Sequence, residues 1–208
     1  CRNKKCILIV FITFIVIKPI NMKTIFSMLL AAICFTAVAQ EKSSGYDKIG
    51  SFEGGVAIVE KGGLFGVISS DGKEIVKPQY EKIGGFDYGV AIVRKNGLYG
   101  AINSAGKEVI KPEYEKISSF GRDGVAYTTK KGLIGLINRE GKVLAPNIYT
   151  YIGSFSNWRA ITRKDGKVGL INKDGKVLVN NEYDEIKIDR NGIVRGWKQG
   201  QEMLLDVK

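Results

Sequence analysis

The chain repeats itself about every 34 residues, and that period limits its fold more than any other feature. Segments starting at Gly63, Gly97, Gly132 and Gly166 align almost letter for letter, from GLFGVISSDGKEIVKPQY in the first to GKVGLINKDGKVLVNNEY in the last. Tyrosines mark the step at Tyr46, Tyr80, Tyr114, Tyr149 and Tyr183. A unit this short cannot bury an apolar face alone. Repeats of this kind stack, and each shares its core with its neighbours.

Within a unit, short β-rich runs alternate with glycine turns. Val56-Ala57-Ile58-Val59 is closed by Lys61-Gly62-Gly63, then Leu64 to Ser69 leads to Ser70-Asp71-Gly72-Lys73 and a third run from Glu74. The Asp-Gly step predicts a hairpin, because glycine enters positive φ without a steric penalty. The middle run is apolar on both faces, which predicts a central strand covered on each side. Gly66, Gly100, Gly135 and Gly169 recur inside that run. A glycine repeated at one strand register predicts a close backbone or ring approach, or a bulge. Pro78 and Pro112, two residues before their tyrosines, predict an edge strand, since proline donates no ladder bond. The tyrosines and Phe52, Phe86, Phe120 and Phe155 are the expected contacts between units. Arg122-Asp123 carries one inserted residue, so that turn is expected to widen.

The fold class that follows is all-β. It is a tandem array of 34-residue units with about three short antiparallel strands each, forming a curved, open, solenoid-like array. A small propeller-like closure is the alternative, although propeller blades usually need about 40 residues or more. Beyond Ile188 the pattern decays. Gly192 to Trp197 and Glu202 to Val207 predict a terminal hairpin, with Trp197 as a cap or a ligand platform.

Phe65-Gly66, Tyr99-Gly100, Ile134-Gly135 and Val168-Gly169 each precede a Gly-Lys turn, followed in the first two units by Pro-x-Tyr. This pattern resembles the WG-containing (KWG-type) repeat over about Gly45 to Ile188. The family's tryptophan is replaced in every unit by Phe, Tyr, Ile or Val. The resemblance implies a β-rich array of the kind found in bacterial proteins, often exported, that acts as an interaction module. It brings no catalytic residues to carry over.

The first 39 residues differ from the rest. They hold five of the 32 basic residues and none of the 21 acidic ones, leaving 27 basic against 21 acidic from Gln40 onward. Residues 22–39 read as a signal peptide: Lys23, an apolar core from Ile25 to Phe35, and Ala37-Val38-Ala39 before Gln40. Residues 1–21 read as an upstream apolar extension, whose run from Ile7 to Ile17 is short for a membrane span. Residues 40–208 read as a single repeat domain of about four units and a terminal hairpin. Cys1, Cys6 and Cys34 all precede Gln40, so that domain holds no disulfide and no thiolate metal site. The expected location is outside the cytoplasm, whether periplasmic, cell-surface or secreted, with no integral membrane domain after cleavage.

The chain has no histidine. The commonest general base and metal ligand is therefore missing, and Ser-His-Asp and Cys-His arrangements are excluded. Carboxylates are plentiful, but Glu81, Glu115 and Glu185 stand beside the repeated tyrosines, where the repeat accounts for them. No catalytic residue, metal site or cofactor is expected. Asp71-Gly72 and Asp174-Gly175 lack the alternating oxygen ligands of a calcium loop. Lysines recur after the hairpin glycine at Lys73, Lys107, Lys142 and Lys176, and near the other turn at Lys61, Lys95, Lys130 and Lys164. Equivalent positions in a stacked array form stripes, so the first set is a candidate site for an anionic ligand. Edge protection of exposed strands is the other account of such lysines. The function expected is a non-catalytic binding or scaffold module whose partner is a protein or an envelope glycan rather than nucleic acid. A purely structural envelope protein is the alternative.

Overall fold

The computed structural model describes residues 45–207, which belong to the compact unit Ser44–Lys208. The expectations for residues 1–39 lie outside the described residues. Five antiparallel sheets follow one another along the chain. The first holds β1 (Lys48–Ile49), β2 (Val56–Lys61), β3 (Leu64–Ser69) and β4 (Glu74–Tyr80). The second holds β5 (Lys82–Ile83), β6 (Val90–Lys95), β7 (Leu98–Asn103) and β8 (Glu108–Tyr114). The third is β9 (Lys116–Ile117), β10 (Val125–Lys130), β11 (Leu133–Asn138) and β12 (Val143–Tyr149). The fourth is β13 (Tyr151–Ile152), β14 (Arg159–Lys164), β15 (Lys167–Asn172) and β16 (Val177–Tyr183). The last has three strands, β17 (Glu185–Ile188), β18 (Val194–Lys198) and β19 (Gln201–Leu205). Each sheet is a simple up-and-down meander, none closes on itself, and the described residues contain no helix.

The three strands expected in each unit are present, and a further two-residue strand completes each of the first four sheets. Lys82 and Ile83 of β5, for example, pair with Arg94 and Val93. Two residues are too few to carry a periodic signal, so this strand exists only through its partner.

The two turns in a unit differ in kind. Asn96 and Gly97 both have positive φ, 53° and 77°, giving the two-residue turn whose twist matches a hairpin. The Asp-Gly turn is instead a three-residue loop. Gly72 N donates to Ser69 O at 2.9 Å and Ser69 N to Lys73 O at 2.9 Å, with Gly72 alone left-handed. The insertion at Arg122-Asp123 widens its turn as expected: Gly121 N reaches Val125 O, where the second sheet closes Asp87 directly on Val90.

The repeated strand glycine combines two of its expected causes. A Cβ on Gly100 would lie 2.5 Å from Ile110 O and 2.7 Å from Pro112 N. That approach coincides with the register shifts between β7 and β8, a bulge that draws the edge strand in.

The core is divided among the gaps between sheets. Val56, Val67 and Val76 of the first sheet pack with Ala91, Val93 and Ile102 of the second. Val90, Ala101 and Ile110 pack with Ala126 and Ile137 of the third. Leu136 and Ala145 meet Ala160 and Ile171, and Val168 and Leu170 meet Ile186 and Val194. Ala101 and Ile102 of β7 thus serve opposite gaps, as expected of a central strand covered on both faces. Tyr80 is buried in the first gap, and Phe86, Phe120 and Phe155 plug successive ones. No buried cluster among the described residues joins the first sheet to the last.

Candidate functional site

The two kinds of turn lie at opposite ends of each sheet, which gives the array two rims. At one rim, carboxylates clasp the two-residue turns. Gly62 N donates to Asp47 Oδ2 at 2.6 Å, Gly97 N to Glu81 Oε1 at 3.1 Å, and Lys131 N to Glu115 Oε1 at 2.7 Å. In the last unit the clasp is Asp184, which accepts from Gln199 N at 2.8 Å, while Glu185 pairs with Lys187. Lysines of the second set are engaged here as well. Lys95 Nζ stands 5.6 Å above the Tyr80 ring and donates to Gln79, and Lys130 stands over Tyr114 and pairs with Glu113. These charges hold the repeat together.

The opposite rim carries the candidate lysines. Ser70 N donates to Gly55 O, Ser104 N to Gly89 O and Arg139 N to Gly124 O, which ties the three-residue hairpins of the first three sheets to the preceding turn of the same sheet. Lys73, Lys107, Lys142 and Lys176 are all exposed at the root of these hairpins, at equivalent places on four successive sheets. Their backbone amides are used: Lys107 N, Lys142 N and Lys176 N donate to the side-chain oxygens of Asn103, Asn138 and Asn172 at 2.8 to 3.0 Å. Their ammonium groups form no ion pair with a described residue. The hairpins of the second, third and fourth sheets also rest on the sheet before. A Cβ on Gly141 would fall 2.0 Å from Val109 O, and one on Gly175 1.9 Å from Leu144 O.

The same rim holds two aromatic residues that the repeat pattern does not single out. Tyr88 and Trp158 are 67% and 71% exposed, and both have left-handed backbones, with φ of 51° and 65°. Arg139 lies over the Tyr88 ring at 4.1 Å, and Lys173 over Trp158 at 4.8 Å. Lys173 also bridges to Asp123 of the preceding sheet at 2.6 Å, and this bond holds the Asp123 carboxyl below its usual range. The inserted residue at Arg122-Asp123 is therefore what brings an anion to this position. The sequence signal was a tryptophan in a turn where other units have glycine or tyrosine. At the far end, Trp197 faces away from the fourth sheet, with Lys187 at 4.9 Å over its ring.

Burial pushes the phenols of Tyr46, Tyr80, Tyr114, Tyr127 and Tyr149 above the ordinary value of 10.0; for Tyr80, the hydrogen bond to Glu108 adds to the effect. A raised folded-state value means that the folded chain keeps these protons longer than the unfolded chain. Their stabilisation is complete below pH 10.0 and is lost as pH rises through the folded values. The melting temperature is expected to hold to about pH 10 and fall above it, with Tyr80→Phe reducing the steepness of the fall. A Tyr80→Phe alkaline limb identical to the parent's would remove Tyr80 from this account.

Among the described residues no cluster of three or more acidic, histidine or cysteine side chains could hold a metal ion. No helix among them is long and apolar enough to cross a membrane.

Stacked meanders sharing cores across their gaps define a tandem-repeat β protein. The chain belongs to the WG containing repeat family, which matches at residues 45–65, 65–99, 99–133, 134–167 and 169–195. Each complete family unit runs from the central strand of one sheet to that of the next, so it encloses an inter-sheet gap. The match is to a repeat family and not to a catalytic one. No curated protein matches the chain. Among solved structures it is similar to the extracellular domain of a B. thetaiotaomicron one component system, at 12% identity and a TM-score of 0.29, covering 75% of this chain and 27% of that one. It is also similar to a WD40 β-propeller domain, at 14% identity and 0.29, covering 77% and 67%. A third likeness is to a eukaryotic initiation factor, at 8% identity and 0.37, covering 78% and 52%. The chain thus spans about a quarter of the first of these proteins. Likeness at this level carries no function across.

Proposed function

We propose that this chain is a non-catalytic binding or scaffold module that works outside the cytoplasm and holds a protein or glycan along its lysine-bearing rim. The observation that carries the reading is the placement of Tyr88 and Trp158. A non-glycine residue in the left-handed region costs on the order of 1 kcal/mol or more, and such strain gathers at functional sites. Rings this exposed regain little of that cost by burial. Each has a cation over one face, an arrangement suited to a flat or anionic ligand group. Lys73, Lys107, Lys142 and Lys176 extend the positive charge along the same rim. Export rests on the leader pattern of residues 22–39.

Binding of the chain to envelope glycans and anionic polymers, measured at two salt concentrations, tests this. Salt-sensitive binding is expected, and it should be lost when the four lysines are changed together to glutamine. Tyr88→Ala and Trp158→Ala should each weaken binding by about two- to twelve-fold, the range for one stacked ring. Binding that is the same in the parent and in the combined variant would reject the rim as the site.

A further inference from the structure

The groove between consecutive sheets is plugged three times and opened once. At the first gap, Val56 and Phe86 line a small cleft of about 240 Å³ beside Gly50 and Ser51. Counting from the tyrosines, Val90 with Phe120 and Val125 with Phe155 are the equivalent pairs, and both phenylalanines pack into their gaps. At the last gap the same two positions are Arg159 and Asp189. The cleft there widens to about 520 Å³. Arg159 and Arg163 line it from β14, with the hydroxyl-bearing Ser154, Ser156 and Tyr151, while Ile161 and Ile188 supply apolar wall.

Among the described residues neither arginine of this cleft has an ion-pair partner. Arg163 pairs across the strands with Tyr151, whereas the equivalent residues of the first sheet, Glu60 and Lys48, form an ion pair at 2.9 Å. Arg159 is held in place by donating to Gly192 O at 3.1 Å and Val207 O at 3.0 Å. Asp189 is turned into its own loop, where its Oδ1 accepts from Asn191 N at 2.8 Å and Ile193 N at 2.9 Å. A guanidinium presents a planar fork that matches an oxyanion, and hydroxyls beside an apolar wall suit a sugar ring.

We propose that the cleft between the fourth and fifth sheets binds an acidic sugar, with its oxyanion at Arg163 and its hydroxyls at Ser154 and Ser156. This deepens the glycan-binding reading by naming a ligand class, and it rests on residues other than those of the rim. Calorimetric titration of the full chain with digalacturonate, glucose 6-phosphate and uncharged cellobiose tests it and separates carboxylate from phosphate as the source of the oxyanion. At least one acidic probe is expected to bind while cellobiose does not. Arg163→Gln, an exposed position, should weaken that binding by about ten-fold, with Arg163→Lys retaining part of it. Gly85→Ala, remote from the cleft, should leave it unchanged, and the rim variant Tyr88→Ala with Trp158→Ala separates binding at the rim from binding at the cleft. Failure of both acids to bind, or equal binding by Arg163→Gln, would overturn the cleft. Loss confined to the rim variant would overturn the cleft while leaving the rim reading intact.

Discussion

Gly100→Val is expected to destabilise the chain by about 3 kcal/mol, the upper end of the ordinary range for overpacking, and to lower its melting temperature by about 6–12 °C. The cause lies in what a side chain would meet. A Cβ at this position falls 2.5 Å from Ile110 O and 2.7 Å from Pro112 N, both backbone atoms of the bulged edge strand. A flexible side chain could move aside at modest cost, but here β8 would have to leave β7. That strand also contributes Ile110 and Tyr114 to the second core gap, so the damage should spread to the third sheet. Gly85→Ala is the control, because nothing lies within 4 Å of its added Cβ. Thermal melts of the two variants decide the matter: similar curves would mean that the close approach does not explain the recurring glycine.

The second large effect concerns a pair of residues that change together along the repeat. In the first two units, Val59 and Val93 stand opposite the strand glycine, and Pro78 and Pro112 lie on the edge strand. In the next two, the same positions are Thr128 with Asn147 and Thr162 with Asn181. Thr162 is fully buried. Asn181 Nδ2 donates to Thr162 Oγ1 at 3.0 Å and to the Thr162 and Lys167 carbonyls at 3.2 Å. A buried hydroxyl left without its partner costs about 1–3 kcal/mol. Asn181→Ala is therefore expected to destabilise by about that amount. The double variant Thr162→Val with Asn181→Pro restores the chemistry of the first two units and should be more stable than Asn181→Ala alone. A double-mutant cycle measures the coupling, expected at about 0.5–3 kcal/mol for groups in direct contact. Strict additivity of the two single changes would reject the idea that they form one unit.

Much of the fold was legible because its causes are local. Turn glycines, two-sided apolar runs and the proline-bearing edge strand are set by residues within a few positions of one another, and each repeats several times. The repeat match at residues 45–195 and the absence of helix from the described residues agree with that reading. The two-residue strand that begins each of the first four sheets escaped it, since Lys82-Ile83 carries no period and gains its conformation only by pairing with β6. The turn types also escaped it. Asp71-Gly72 and Asn96-Gly97 look alike as dipeptides, and the hydrogen-bond ladder around them makes one a three-residue loop and the other a two-residue turn.

The candidate sites were less legible. The lysine stripe could be read from spacing, but spacing could not separate the two rims. At one rim Lys95 and Lys130 lie over tyrosine rings and are held by Gln79 and Glu113; at the other Lys73, Lys107, Lys142 and Lys176 are exposed and form no ion pair with a described residue. Trp158 stands where the other units have Gly55, Gly89 and Gly124, a departure visible in the sequence, whereas Tyr88 occupies a turn position that varies from unit to unit. Their left-handed backbones became visible only in three dimensions.

By itself, then, the sequence determined a chain of β units with a 34-residue period, because strand alternation and turn chemistry are properties of neighbouring residues. Tertiary structure decided which residues meet across the gaps. Val56 and Phe86 lie 30 positions apart, as do Arg159 and Asp189, and no local rule links either pair. Only the stacking of one sheet on the next sets an apolar plug at the first gap and a basic cleft at the last.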